Sequence, residues 1–534
     1  MQMKKTLLFI ILGVISLTIT AQTLETVMWG ESMEMPKKTS IQQIIGTNSD
    51  GFYAIRSDDP AYMTRDKAWL EWVSFGTMNV DESNEITFPV VGGKQTYFDA
   101  MYFINNKLIL FSSMEDKGRT QKVSYISYLN TNGTVKNKPR EVGALPLSNL
   151  KADGFHYKYL PESKHILMYY HKTYTKYNGE KFTVKIFDSN LKEVFNEDLV
   201  FPENMRNRKN KLVQIEQGKS GNIYMMFKIE EVSTKSRRGK KTAGTKYANM
   251  LVVYNAKKKE LKTYDITFSK FKPFDVRFAL SKDEIVVIGG TIAPKTTKFE
   301  NQIMGMFYTK INPKTEKVIP PKNIKETYYD IGRDKPLMAT FNNEKNGPTP
   351  KDRFAFKVKD IVLLDNGGIT IIAEQFYKTY REFKDPETKK MVKINYLNYN
   401  DLLVGGVDKN GKFAWVKRFY KRQFSIEDGG HFSSYALAKN VNTIKLMYND
   451  LAKNLKQTNP AKIKTIKFNP KTQPKGMAVM HSIYTDGSIQ KTPMFGGKDA
   501  NCVIIPGTLT EFSDGYLIAT RNGKTYRFAQ FVFE

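Results

Sequence analysis

The residue types best suited to chemistry in this 534-residue chain gather in one stretch. Glu374 and Gln375 end the apolar run that begins at Gly368, Tyr399, Asn400 and Asp401 precede the run "LLVGGV", and Lys421, Arg422 and Gln423 follow "FAWVKRF". Carboxylates, amides and a guanidinium within reach of one another can hold a polar ligand through bidentate hydrogen bonds. Glu374, Asn400, Asp401, Arg422 and Gln423 are therefore the candidate ligand-binding residues. The same groups can instead satisfy one another and tie neighbouring strands together. That structural alternative is preferred, because mutually paired buried polar groups are commoner than ligand sites. A looser echo upstream, Glu230, Glu231, Tyr247 and Asn249, leans the same way.

Complete catalytic signatures are missing. "VGGKQT" at Val91 lacks the earlier glycine and the Lys-Ser/Thr ending of a phosphate-cradling loop, and "GKSGN" at Gly218 reads as a turn. "DESNE" at Asp81 has neither the alternation nor the later Glu of a calcium loop. His156, His165, His171, His431 and His481 have no metal-ligand spacing. No catalytic residue, metal or cofactor is assigned, and the balance is against an enzyme. The two carboxylates of a glycosidase, which separate repeats can supply, are not placed by sequence alone.

The scaffold that must position these groups is repetitive. Eight short, almost wholly apolar runs recur: "GFYAIRS" at Gly51, "KLILFSS" at Lys107, "KHILMYY" at Lys164, "NIYMMFKI" at Asn222, "EIVVIGG" at Glu284, "GITIIAE" at Gly368, "TIKLMYN" at Thr443 and "GYLIATR" at Gly515. Runs of this length and composition are strands buried on both faces. A polar loop and a two-strand hairpin usually follow, as in "FTVKIFDSNLKEVFNEDLVF" from Phe182. No sustained 3.6-residue apolar stripe appears. The expected fold is all-β, a β-propeller of seven or eight four-stranded blades forming one domain over 22–534, with a possible irregular connection at 333–359. A strand at Leu24, "LETVMWG", would close the ring against the last strands and so remove exposed sheet edges. In such a blade the loop between the second and third strands and the exit of the fourth share one face, which is what gathers Glu374, Asp401 and Arg422.

The first 21 residues read as a cleavable signal peptide, with Lys4 and Lys5 ahead of an apolar run from Thr6 to Thr20. Cys502 is the sole cysteine, which leaves no internal disulfide and no lipid-anchoring cysteine at the cleavage point. No later apolar run is long enough to be a transmembrane helix. The expected location is the periplasm or cell envelope rather than the medium.

Net charge is +29, which favours acidic partners. Lys235, Arg237, Arg238, Lys240, Lys241 and Lys246 crowd one loop between second and third strands, Lys453 and Lys456 lie in another, and Lys378 to Lys393 reads as a further basic loop of the same kind. Because all such loops share a face, these residues are read as a basic docking face for an acidic envelope protein or anionic polysaccharide. Nucleic acid is disfavoured for an exported chain. The stretch from "LLDNGGITIIAEQFY" at Leu363 through "NYNDLLVGGVDKNGKFAWVKRFYKRQ" to "YND" at Tyr448 resembles uncharacterised secreted Bacteroidota β-repeat proteins. The resemblance, about 363–450, implies an envelope setting and a repeat β fold, and carries no activity. The leading expectation is a non-catalytic binding or scaffolding propeller. The alternative is a polysaccharide- or peptide-acting enzyme with its site at the channel. An outer-membrane barrel is set aside, because its strands would alternate strictly whereas these are apolar on both faces.

Overall fold

A computed structural model describes residues 24–533 apart from 59–66, 148–153, 173–180, 203–204, 206–209, 231–246, 269–270, 294–302, 316, 320–327, 343–354, 442, 470–474 and 514. The signal-peptide reading thus lies outside the described residues. Within them the chain forms eight sheets of four or more strands and one small hairpin at Val90–Gln95. We number the sheets 1 to 8 along the chain from Thr39 to Val503, the N-terminal strand at Leu24 being part of sheet 8.

The eight apolar runs occupy the same place in every sheet. Gly51–Asp58, Lys107–Asp116, His165–Lys172, Ile223–Glu230, Val286–Ala293, Ile369–Lys384, Thr443–Asp450 and Gly515–Asn522 are each the second strand from one edge in the order of their sheet. Their lack of alternation has a simple cause. Successive side chains on a strand point to opposite faces, and here both faces meet another sheet. Met225 packs into the core shared by sheets 3 and 4, while Met226 packs into that of sheets 4 and 5. Ile371 and Ile372 divide in the same way between the 5–6 and 6–7 cores, as do Leu517 and Ile518 between the 8–1 and 7–8 cores. Every residue of Val286–Ala293 is buried, and each large apolar side chain so placed contributes about 1.5–3 kcal/mol.

The shared cores run in sequence and close on themselves. Phe52 and Val73 of sheet 1 meet Leu517 and Phe528 of sheet 8 in one cluster. Leu24–Trp29 pairs antiparallel with Thr525–Phe533, Leu24 opposite Phe533 and Trp29 opposite Ala529, so the N-terminal run supplies the closing strand expected of it. A polar tie crosses the same seam: Arg56 Nε and Tyr526 OH both donate to Oε1 of buried Glu71, at 2.6 and 2.9 Å. The fold is a β-propeller, held by inter-sheet cores.

First strands have a neighbour in their own sheet on one side only, and side chains of adjacent sheets satisfy some of the groups left over. Gln214 donates to Phe278 O (2.8 Å) and accepts from Phe278 N (3.0 Å), joining sheets 4 and 5. Asp275 Oδ2 accepts from Val358 N at 2.8 Å, joining sheets 5 and 6.

Two expectations change in detail. The described residues of 333–359 include a helix, Lys335–Asn342, which Asp334 caps by accepting from Leu337 N at 2.9 Å, and Leu337 and Phe341 enter the core of sheets 5 and 6. Sheet 6 then begins at Phe356, so the connection stops short of Lys359. The basic stretch Lys378–Lys393 is not a loop but a strand extension. Ile369–Lys384 and Met391–Val407 continue past the core as a hairpin, which Gln423–Ile426 joins antiparallel and Ile466–Phe468 extends in parallel. Cross-strand pairing of Lys378 with Leu397 and of Phe383 with Val392 holds that extension together.

Candidate functional site

Glu374 is the sixth residue of the second strand of sheet 6, Asp401 opens the core half of the third, and Lys421 follows the fourth, Phe413–Phe419. The structure brings the three together. Lys421 Nζ donates to Glu374 Oε1 at 2.7 Å, to Tyr399 O at 3.0 Å and to Gln423 Oε1 at 3.0 Å, so all three ammonium protons are used. Its backbone N–H donates to Asp401 Oδ1 at 2.9 Å. The guanidinium on Asp401 is that of Arg418, which also donates to Thr340 O at 2.8 Å. The side chains of Glu374 and Lys421 are fully buried. Burial pushes the Lys421 ammonium pKa down, and the Glu374 carboxylate opposes it.

Lys421 and Arg418, neither of them among the ligand candidates read from sequence, pair with the two carboxylates, and Arg422 is buried beside them with its carbonyl accepting from Ile466 N at 3.0 Å. Asn400 is also buried, and its Nδ2 donates to Tyr377 OH at 3.2 Å. Arg418 was legible in principle. Asp401 and Leu403 share a face by the period of two, and Arg418 lies directly opposite Leu403.

The network continues into sheets 7 and 8. Gln423 Oε1 accepts from Ser434 N (2.7 Å), Gln423 Nε2 donates to Asn449 O (2.9 Å), and Ser434 Oγ donates to Glu374 Oε2 (2.8 Å). Asn449 behaves as a short piece of strand, accepting from Ile504 N and donating to Ile504 O, both at 2.8 Å. Asp450 binds Lys491 Nζ at 3.0 Å. His481, packed against Phe419 and Tyr448, is held neutral: burial, assisted by Lys491, lowers its pKa to about 3. Carboxylates, cations and amides here complete one another, and the arrangement clamps three sheets.

Comparison with family models and with curated proteins gives no match. Among solved structures the chain is similar to the Dos1 propeller, at 9% identity and TM-score 0.42 over 94% of this chain and 95% of that one. It is also similar to the polysaccharide lyase Uly1, at 10% identity and TM-score 0.37 over 96% and 99%, and to prolyl oligopeptidase B from Galerina marginata, at 9% identity and TM-score 0.38 over 91% and 55%. Likeness at this level concerns fold alone, and the propeller assignment rests on the sheets and the closed series of cores.

Other candidate groups are placed as follows. Lys235, Arg237, Arg238, Lys240, Lys241 and Lys246 lie outside the described residues. Lys453 and Lys456 are exposed at and just after a short 3-10 turn, Ala452–Asn454. Among the described residues no group of three or more His, Cys, Asp or Glu is arranged to hold a metal ion. A groove of about 640 Å³ between sheets 5 and 6 is lined in part by Tyr328, Tyr329, Lys412 and Phe413. Its carboxylates are engaged, Asp330 by Arg333 at 3.3 Å and Asp334 by Tyr329 OH and the helix N-terminus.

Sequence reasoning passed over a second charged cluster. Lys211, Lys228, Lys272, Arg277, Lys357 and Lys359 lie on the first and second strands of sheets 4 to 6, around Asp275. These residues are scattered in sequence and become neighbours only when sheets pack side by side.

Proposed function

We propose that this protein is an exported, non-catalytic binding propeller of the bacterial envelope, whose face of second-to-third-strand loops docks an acidic protein or anionic polysaccharide. The observation that carries this reading is that the constellation with the most ligand-like composition is closed. Glu374 and Lys421 have no exposed side-chain surface and are spent on each other, while the chain keeps a net charge of +29. The apolar run Thr6 to Thr20 supports export, and the resemblance over 363–450 supports an envelope setting.

Like charges gathered on one face steer anions, with a field that weakens as salt rises. The test is capture of an anionic polymer or acidic envelope proteins by the purified protein across a salt series. Binding is expected to fall steeply from low to physiological salt and to fall most when Lys235, Arg237, Arg238, Lys240, Lys241 and Lys246 are replaced by Ser. Salt-insensitive binding, or an equal loss on neutralising Lys257, Lys258 and Lys259 in the turn after Asn255, would overturn it.

A further inference from the structure

We propose that the groove between sheets 5 and 6 binds a short acidic glycan, a uronate-bearing oligosaccharide whose rings lie on Tyr329, backed by Phe413, and whose carboxylates meet Lys335 and Lys412. The groove forms where the last strand of sheet 5 comes in two pieces. Lys317–Ile319 pairs with one end of the third strand, and Tyr328–Asp330 pairs with the other end, Tyr328 opposite Phe307 and Asp330 opposite Gly305. Gly305 permits that close approach, since a Cβ there would stand 2.0 Å from Tyr329 O. The helix Lys335–Asn342 then brings Lys335 and Pro336 to the wall, and Lys412 and Phe413 enter from the start of the fourth strand of sheet 6. The volume of about 640 Å³ is that of a small-ligand site.

The lining combines an aromatic surface with cations. The Tyr329 ring lies 6.3 Å from that of Phe413, and its hydroxyl donates to Asp334 Oδ2, so the ring is fixed before a ligand arrives. Asp330 is engaged by Arg333 at 3.3 Å, and Asp334 also accepts from Leu337 N. The ammonium groups of Lys335 and Lys412 have no partner among the described residues, and both residues are exposed. Arg333 reaches Asp330 through Nε with its side chain 81% exposed, which leaves the outer N–H groups of its fork to a ligand. A pyranose ring presents an apolar face of C–H groups with a hydroxyl edge, which matches a half-buried tyrosine ringed by polar groups. An acidic sugar adds a carboxylate at each ring, and separate ammonium groups meet such charges one by one. An extended peptide would need a strand edge, and Tyr328–Asp330 supplies three residues, too short a ladder to hold one through its main chain.

The inference rests on the binding reading above and narrows the partner to an acidic glycan, at residues outside the 235–246 loop. The experiment titrates the purified full chain, by calorimetry, with trigalacturonate, with neutral galactotriose and with acetylated triglutamate amide, which carries three carboxylates and no sugar ring. Saturable binding of trigalacturonate is expected, about tenfold tighter than either of the others. The exposed pair Lys335→Gln/Lys412→Gln should weaken it by about tenfold, whereas the six-residue Ser variant of the 235–246 loop should not. No binding by the unaltered protein, unchanged affinity in the Lys335/Lys412 variant, or equal binding of galactotriose or triglutamate overturns the inference. In each of these cases, loss of polymer capture by the loop variant alone would leave the docking reading standing.

Discussion

Glu374 and Lys228 are each the sixth residue of a second strand, one in sheet 6 and one in sheet 4. Around Glu374 the chain supplies Lys421, Ser434 and the edge of Lys359. Around Lys228 it supplies Lys211, Lys272 and Arg277 against Asp275. The same position in the repeat is thus built once as a closed clamp of opposite charges and once with a like charge, Lys211, directly across the strand pair. Burying a charge without a partner is costly, and opposing like charges across a strand pair is destabilising. The clamp obeys both constraints and reads as structure. The pair Lys211 and Lys228 runs against the second.

The comparison breaks most sharply at Lys421. Lys421→Met should destabilise by about 3–5 kcal/mol, because Glu374 is left charged in a buried site. Adding Glu374→Gln should recover part of that loss, and denaturant unfolding of both variants reads the difference. A Lys421→Met variant as stable as the parent would mean that the clamp holds nothing.

Acid offers an intermediate effect. His481 has its pKa lowered to about 3, and His431, half-buried and hydrogen-bonded to Ser40, has its pKa lowered to about 4, desolvation being the main cause in each. Both lie below the unfolded value near 6.5, so the unfolded chain takes up protons that the folded one refuses. Their contribution is fully present above about pH 6.5 and is lost progressively as pH falls toward the folded values. The expected slope is about 1.4 kcal/mol per pH unit for each histidine. Unfolding midpoints at pH 7, 6 and 5 should show this loss, and His481→Gln should reduce the slope by one histidine's share.

The smallest effect lies in the cation cluster. Lys211→Gln should raise stability at low ionic strength by a few tenths of a kcal/mol, through relief of the like-charged pair, with the gain fading in high salt. A fall in the thermal midpoint at low salt would show that Lys211 is a stabilising residue and that the contrast with Glu374 has been misread.

How far the sequence could be read follows from which neighbours each strand has. Second strands were legible because both faces are covered, which leaves an apolar run with no alternation. First strands were not: "HYKYL" and "NKLVQIEQ" mix half-buried residues on both faces, since each has a neighbouring strand on one side only. Hairpin reasoning singled out Glu374 and Asp401 together with Arg422, and did not name Arg418, which lies opposite Leu403. Loop proximity was weighed there above cross-strand register. The extension beyond Glu374 was taken for a loop because lysines dominate it, although Phe376, Tyr380 and Phe383 recur among them. The cation cluster had no local signature at all, since lateral contact between sheets creates it.

The closing strand has a mechanical consequence. Because Leu24 lies opposite Phe533 in an antiparallel pair, a pull applied between those two residues enters at the first rung of the ladder and peels it toward Trp29 and Ala529. Rungs loaded one after another yield at low force, whereas strands pulled along their length share the load over every hydrogen bond. Tension between Leu24 and Phe533 would therefore unlatch sheet 8 first and expose its last strand, while the other seven sheets keep all their strands.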